Sequence, residues 1–384
     1  IKEIKMLKIL CSVMGYDGGK SGISEYINST LKELSKKNSV SLIISKSDAE
    51  IFPVPEGKNL KYIIYPNWLK KPILNMFWHL FILPFTIGMK KYDFVFLPAG
   101  NRRLFCYYNI PSIVTFHDLS QFHIEGKYDA FRMFYIKKII PFFLKKADMI
   151  MSISESTKKD MLEFYNFPEN KIMVNYESFD FETYNMNVSA GKDKVIAAGL
   201  EKKYLLYIAR IEHPGKNHLN LIKAYEQLPD KMKEQYDLAL AGSMWSGGEK
   251  IKAYAEQSHD CDKIKFLGFV KKDLLPFLYK NASLYVFPSY YEGFGIPLLE
   301  AMNTGIPVVC SNTSSLPEIG GDATLTFNPA KPSEIKERIV EVLSDKNLYK
   351  KMKEKGLKNA AKFTWKKHIT KIIGAYEQEI NRNK

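Results

Sequence analysis

The chain has 384 residues, 46% of them hydrophobic and 13% aromatic, which supports a large core and is long for one domain, so two domains are expected. Four scattered cysteines, Cys11, Cys106, Cys261 and Cys310, lack the spacing of a disulfide framework or a zinc site and suit a reducing, cytoplasmic compartment. A formal charge of +14 points to anionic partners without choosing among nucleic acid, phosphorylated substrates and an acidic membrane face.

The opening "IKEIKMLKILCSV" is too charged for a signal peptide and leads into a short strand-like run. From there, β-branched and apolar runs alternate with longer helical patterns, which predicts an α/β chain with doubly wound parallel sheets. Strands are expected at 8–14, 39–45, 61–65, 93–99, 112–117, 148–154 and 171–176. The longest apolar stretch, Pro72 to Met89, contains Asn75, His79, Pro84 and Gly88 and reads as a buried core helix or an interfacial one. Trp68, Trp78, Lys70, Lys71, Lys90 and Lys91 cluster at its ends and are the argument for the interfacial reading. The stretch 129–146 sets aromatic clusters beside Arg132, Lys137, Lys138, Lys145 and Lys146, as either ordinary packed helix or a basic surface for an anionic leaflet.

A polar segment over 177–203 predicts a linker, with an N-terminal domain over 1–185 and a C-terminal domain over 186–365. The second set of strands is expected at 204–210, 236–243, 263–270, 282–289, 306–311 and 323–327. In it, the Asp-x-Asp pair of "HDCD" (259–262) reads as solvated loop acids rather than metal ligands. The stretch 362–380 is an amphipathic helix, with Trp365, Ile369, Ile372 and Tyr376 at helical spacing.

In doubly wound sheets, ligands lie beyond the carboxyl ends of the strands, where helix N-termini offer unpaired N–H groups. The segment "YYEGFGIPLLEAMNTGIPVVCSN" (290–312) places Glu292 in such a loop, lets Gly293 and Gly295 bring backbone close to a ligand, and starts a helix at Pro297 with Glu300 in its first turn. Two carboxylates can accept from sugar hydroxyls there. In "ARIEHPGKNHLNLIKAY" (209–225), Arg210 ends a strand while Lys216 and Asn217 open the next helix, so two cations are expected to converge on a diphosphate.

These stretches, together with "FLGFV" and "SSLPEIGGDATLTFNP", resemble glycosyltransferase family 4. The resemblance implies a GT-B fold: two Rossmann-like domains facing a central cleft, an acceptor-binding N-terminal half, a donor-binding C-terminal half and a final helix, 366–384, packed back on the first domain. The family's E-x7-E motif falls on Glu292 and Glu300, and its diphosphate-binding Arg and Lys on Arg210 and Lys216. Glu300 would then hold the donor ribose and Glu292 the transferred sugar, with Gly293 in the loop and backbone N–H groups from Phe294, Gly295 and Ile296. The resemblance puts His117 of "TFHDLS" beside the transferred sugar or acceptor, and Gly19 or Gly22 of "GGKSGISEYI" where the first loop approaches phosphate; "SISESTKKDM" matches a strand-to-helix junction. Phe269 and Val270 lie near the base or in a strand core, and Ala209 stands where many relatives carry Gly.

The implied activity is retaining, metal-independent transfer of a hexose, mannose or rhamnose, from a nucleotide-diphosphate sugar used as co-substrate, with no cofactor. The implied acceptor is a saccharide or lipid-linked saccharide of bacterial envelope polysaccharide or lipopolysaccharide synthesis. The enzyme is expected in the cytoplasm, peripheral on the inner face of the membrane. Nucleic acid is not expected, because no helix-turn-helix, zinc-finger or RNP pattern is present. A soluble-acceptor enzyme of the sucrose, trehalose or glycogen type and a nucleotide-sugar hydrolase or epimerase stay open as alternatives.

Overall fold

The computed structural model describes residues 6–19, 21–54, 56–126, 128–187 and 189–382. Ile1–Lys5 of the opening, Lys20 of the first glycine-rich loop and the last two residues of the expected final helix lie outside the described residues.

Every expected strand run forms a strand. β1 (Lys8–Ser12), β2 (Ser39–Ser45), β3 (Leu60–Tyr65), β4 (Phe94–Leu97), β5 (Ser112–Phe116), β6 (Met149–Ser152) and β7 (Ile172–Val174) form one sheet in the order β3-β2-β1-β4-β5-β6-β7. β8 (Lys203–Ile208), β9 (Tyr236–Ala241), β10 (Ile264–Gly268), β11 (Leu284–Phe287), β12 (Val308–Ser311) and β13 (Thr324–Phe327) form a second, ordered β10-β9-β8-β11-β12-β13. All pairings between these strands are parallel. Helices on both faces leave central strands such as β4 and β11 buried along their whole length, which is why they read as unbroken apolar runs. Strand order reverses between β1 and β4 in the first sheet and between β8 and β11 in the second. In such sheets the reversal is where the loops at the carboxyl ends part and leave a crevice.

The described residues of Ile1–Gln121, Glu125–Glu177 and Thr364–Lys384 make one compact unit, and those of Phe122–Ile124 and Ser178–Phe363 the other. The chain thus changes unit at 177/178 and 363/364, where the sequence reading puts the junctions at 185/186 and 365/366. The helix Trp365–Arg382 belongs to the first unit, with Ile372 and Ala375 in the same core as Tyr26 and Leu31 of the helix Gly22–Leu34.

Three expectations are corrected. The segment 177–203 is not a free linker: Phe179, Tyr184, Val195 and Leu200 are buried in the second unit, and the helix Lys192–Ala197 sets Lys194 over the Phe277 ring. Its polar composition hid four well-spaced apolar anchors. The stretch Pro72–Met89 is not a plain core helix either. It breaks into Pro72–Phe81 and Leu83–Thr86, burying Asn75, Trp78 and His79 while leaving Ile73, Phe77, Phe81 and Phe85 exposed. Finally, Asp260 of "HDCD" is buried rather than solvated, 2.8 Å from Lys233 Nζ and 2.7 Å from Lys263 Nζ. Burial alone would raise its carboxyl, but the two ammonium groups hold it below the usual range.

Candidate active site

In the second unit, the two motif loops follow β8 and β11, the neighbours at the strand reversal. The loop after β11 ends at Gly295, whose φ of 105° favours glycine and caps the helix Ile296–Asn303. A Cβ there would come 2.9 Å from Leu316. The helix starts at Ile296, so Pro297 is its second residue and Glu300 lies beyond the first turn, one step further in than expected. The loop is held from the segment after β12. Thr313 Oγ1 donates to Tyr290 O at 2.8 Å, Ser314 Oγ accepts from Glu292 N at 2.9 Å, and Ser315 Oγ contacts the carbonyls of Glu292 and Phe294, both at 2.9 Å.

The loop after β8 carries the cations. Its helix begins at His218, so Lys216 lies in the preceding turn and Asn217 adopts a left-handed conformation with φ of 57°. Asn217 Nδ2 donates to Pro288 O at 2.9 Å and Pro329 O at 2.7 Å, and Tyr290 N donates to Gly215 O at 3.0 Å. These bonds tie the two motif loops together. Tyr207, wholly buried, adds its hydroxyl to Lys216 O at 2.9 Å.

The result is a direct contact between two expected site residues: Lys216 Nζ lies 2.8 Å from Glu292 Oε1, both side chains mostly buried. Arg210 instead pairs with Glu212 Oε2 at 3.1 Å and sits 5.0 Å from the Trp245 ring centre, half exposed. Glu300 Oε2 accepts from Tyr279 OH at 2.8 Å. Burial, and then the Glu300 carboxylate, push the Tyr279 phenol far up, so it keeps its proton and remains a donor. Phe269 and Val270 are not in a strand core. β10 stops at Gly268, Phe269 is exposed, and both line a separate hollow with Lys194, Ala198 and Leu274.

In the first unit, Gly19 has a φ of 81° and Gly22 opens the helix Gly22–Leu34, capped by Ser21 accepting from Ser24 N. Arg102, from the loop after β4, pins this loop: it donates to Gly15 O at 2.6 Å and Ser21 Oγ at 3.1 Å, and pairs with Asp17 at 3.3 Å. His117 is buried, its Nε2 donating to Pro98 O at 2.8 Å and its Nδ1 lying 3.1 Å from Glu177 Oε1. Both ring nitrogens are therefore engaged within the protein. Glu177, Arg102, Tyr279, Ser314 and Ser315 were missed from sequence. Only the "SS" of 314–315, polar residues inside a motif, offered any signal.

The pattern described as Glycosyltransferase Family 4 matches residues 20–182, and that described as Glycosyl transferases group 1 matches residues 191–359. The O-antigen chain mannosyltransferase B of Escherichia coli is 32% identical over 267 residues, covering 69% of this chain and 70% of that protein. The serotype-specific mannosyltransferase WbdA of Escherichia coli is 31% identical over 283 residues, 71% of this chain but only 34% of the relative, so the chain spans about a third of that protein. Among solved structures, Alr3699/HepE of Anabaena in complex with UDP and glucose shares the fold, with a TM-score of 0.73 at 18% identity over 97% of this chain and 100% of that one.

Proposed function

The chain belongs to glycosyltransferase family 4, and from that premise we propose that it moves mannose, with retention and without a metal ion, from a nucleotide-diphosphate donor to a growing envelope saccharide. It is a GT-B glycosyltransferase. The observation that carries the finer reading is the Lys216–Glu292 contact at 2.8 Å beside the second sheet's strand reversal, which joins a group suited to diphosphate with one suited to sugar hydroxyls. The names of the Escherichia coli relatives support mannose, and the UDP and glucose of the Anabaena structure support a nucleotide-sugar donor.

Lys216 and Arg210 offset the negative charge that grows on the diphosphate oxygen as the glycosidic bond breaks. The departing phosphate takes the proton of the acceptor hydroxyl on the same face, and the new bond forms where the old one was, giving retention. Glu292 holds the sugar's hydroxyls, and Glu300, positioned by Tyr279, holds the ribose. Fixed cations fill the place a divalent ion takes in other phosphate chemistry. Assay with GDP-mannose and an envelope saccharide in excess chelator is expected to give full transfer, and NMR of the product the donor's anomeric configuration. Strict Mg²⁺ dependence would overturn the metal-free reading, and donor breakdown independent of acceptor would indicate a hydrolase.

The same reading places the enzyme on an anionic leaflet. Among the described residues no helix is long and apolar enough to cross a membrane. Trp68, Ile73, Phe77, Phe85 and Phe131 are exposed in the first unit, alongside exposed Lys71, Lys137, Lys138 and Lys146. Each lysine near such a surface adds about 1 kcal/mol. Sedimentation with anionic vesicles is expected to be salt-sensitive and lost in Lys137→Glu/Lys138→Glu. Equal binding to neutral vesicles would leave a soluble acceptor.

A further inference from the structure

The first sheet also reverses its strand order, between β1 and β4, and a cavity of about 480 Å³ lies against the loops there, wholly within the first unit. One wall is apolar, formed by Ile73, Met76, Phe131, Ile136 and Ile140, and Ile73 and Phe131, each 75% exposed, stand at its rim. The other wall carries Arg102 and Arg103.

These two arginines differ. Arg102 is balanced by Asp17. Arg103 gives Nε to Asn75 Oδ1 and one terminal nitrogen to Arg102 O at 2.6 Å, both neutral acceptors, and no carboxylate pairs with it among the described residues. Burial, reinforced by Arg102, lowers its pKa to about 10. The two carboxylates that line the cavity are engaged locally: Asp118 accepts from the Ser120 hydroxyl at 2.7 Å, and Asp129 caps a helix by accepting from Arg132 N at 2.9 Å. A guanidinium largely withdrawn from water and lacking a counter-ion is an incomplete arrangement, and an anion completes it. An apolar wall facing that cation, with an apolar rim, suits a ligand whose anionic group carries a long hydrocarbon.

We infer that this cavity holds the anchor of the acceptor, a phosphate or diphosphate ester of an apolar chain, with the phosphate on Arg103 and the chain along Met76, Ile73 and Phe131. This rests on the proposed sugar transfer, with the N-terminal half as the acceptor side that the family resemblance implies, and it names the acceptor's class. A free sugar phosphate would offer the same anion without the chain, so the probes must separate the two.

Calorimetric titration of the full chain with farnesyl diphosphate, inorganic pyrophosphate and farnesol makes that separation. Farnesyl diphosphate is expected to bind about tenfold or more tightly than either of the others, and Arg103→Gln to weaken it by a similar factor. Phe131→Ser, at an exposed position that leaves the fold intact, should weaken farnesyl diphosphate while leaving pyrophosphate unchanged. Lys216→Ala, in the other unit, should leave it unaffected. Equal binding of pyrophosphate or farnesol, no binding, or a loss confined to Lys216→Ala would overturn the inference. If the probe fails to bind while GDP-mannose still donates to a saccharide, the inference alone falls; if the probe binds and no sugar is transferred, the glycosyltransfer reading of the site fails instead.

Discussion

Replacing Lys216 by alanine is expected to lower kcat/KM for sugar transfer by about a thousand-fold, some 4 kcal/mol of transition-state stabilisation, with little change in fold. The ammonium is rigidly placed: its turn is fixed by Tyr207 at 2.9 Å from Lys216 O, by the Tyr290 N–H on Gly215 O and by Asn217 across to Pro288, just after β11. It therefore needs no reorganisation when charge appears on the leaving diphosphate. Glu292→Ala should be similarly severe, since it removes both a sugar contact and the partner that aims Lys216. Because the two groups touch, the double variant should be far less impaired than the product of the single losses. Arg210→Ala, from a half-exposed position stacked near Trp245, is expected to lose about tenfold less than Lys216→Ala. Initial rates with labelled donor, alongside circular dichroism, read all of these. A folded double variant with unaltered turnover would sink the assignment of these residues.

Lowering the pH from 7 to 5 is expected to destabilise the protein by about 2 kcal/mol for each of three buried histidines. His79 and His218 are pushed down to about 3 and His368 to about 4, from an ordinary 6.5, chiefly by burial. Arg103 adds to the effect at His79, Lys216 at His218, and His117 and Lys371 at His368. His368 is locked neutral: its Nδ1–H donates to Tyr176 O at 2.9 Å and its Nε2 accepts from Tyr26 OH at 2.9 Å. Above pH 6.5 neither the folded nor the unfolded chain protonates these rings, so they add no pH dependence. Below 6.5 the unfolded chain takes up protons that the folded one refuses, and stability falls until the folded pKa values near 4 and 3 are reached. The carboxyls of Asp17 and Asp260 are held below 3.8, so their contribution is lost only at still lower pH. Denaturant titrations at pH 7 and 5 should show the drop, with a flatter slope in His79→Gln/His368→Gln. An unchanged slope in that variant would refute the account.

Much of the site could be read along the chain because its pieces are local. Gly295, Pro297 and Glu300 lie within six positions, and their order reports a strand ending in a tight approach to a helix. What failed were boundaries and partners. Lys216 was expected inside its helix and Phe269 inside a strand, and both lie in loops, since hydropathy marks where an element runs better than the turn at which it stops.

The sequence by itself determined the runs that become β1 to β13, the two-sheet α/β architecture and that Lys216, Glu292 and Glu300 follow the carboxyl ends of their strands. Parallel strands buried on both faces must be continuous apolar runs, and the turns after them need glycine and proline, so both signals survive in one dimension. Only the tertiary structure decided which polar groups meet. Glu292 reaches Lys216 across 76 positions, His117 reaches Glu177 across 60, and Arg103 is left without a carboxylate among the described residues. Tertiary packing also settled that Phe77 and Phe85 face outward while Asn75 and His79 are buried. Such pairings follow from strand order and from which helix face finds a neighbour, and neither is written in the spacing of residues along a single segment.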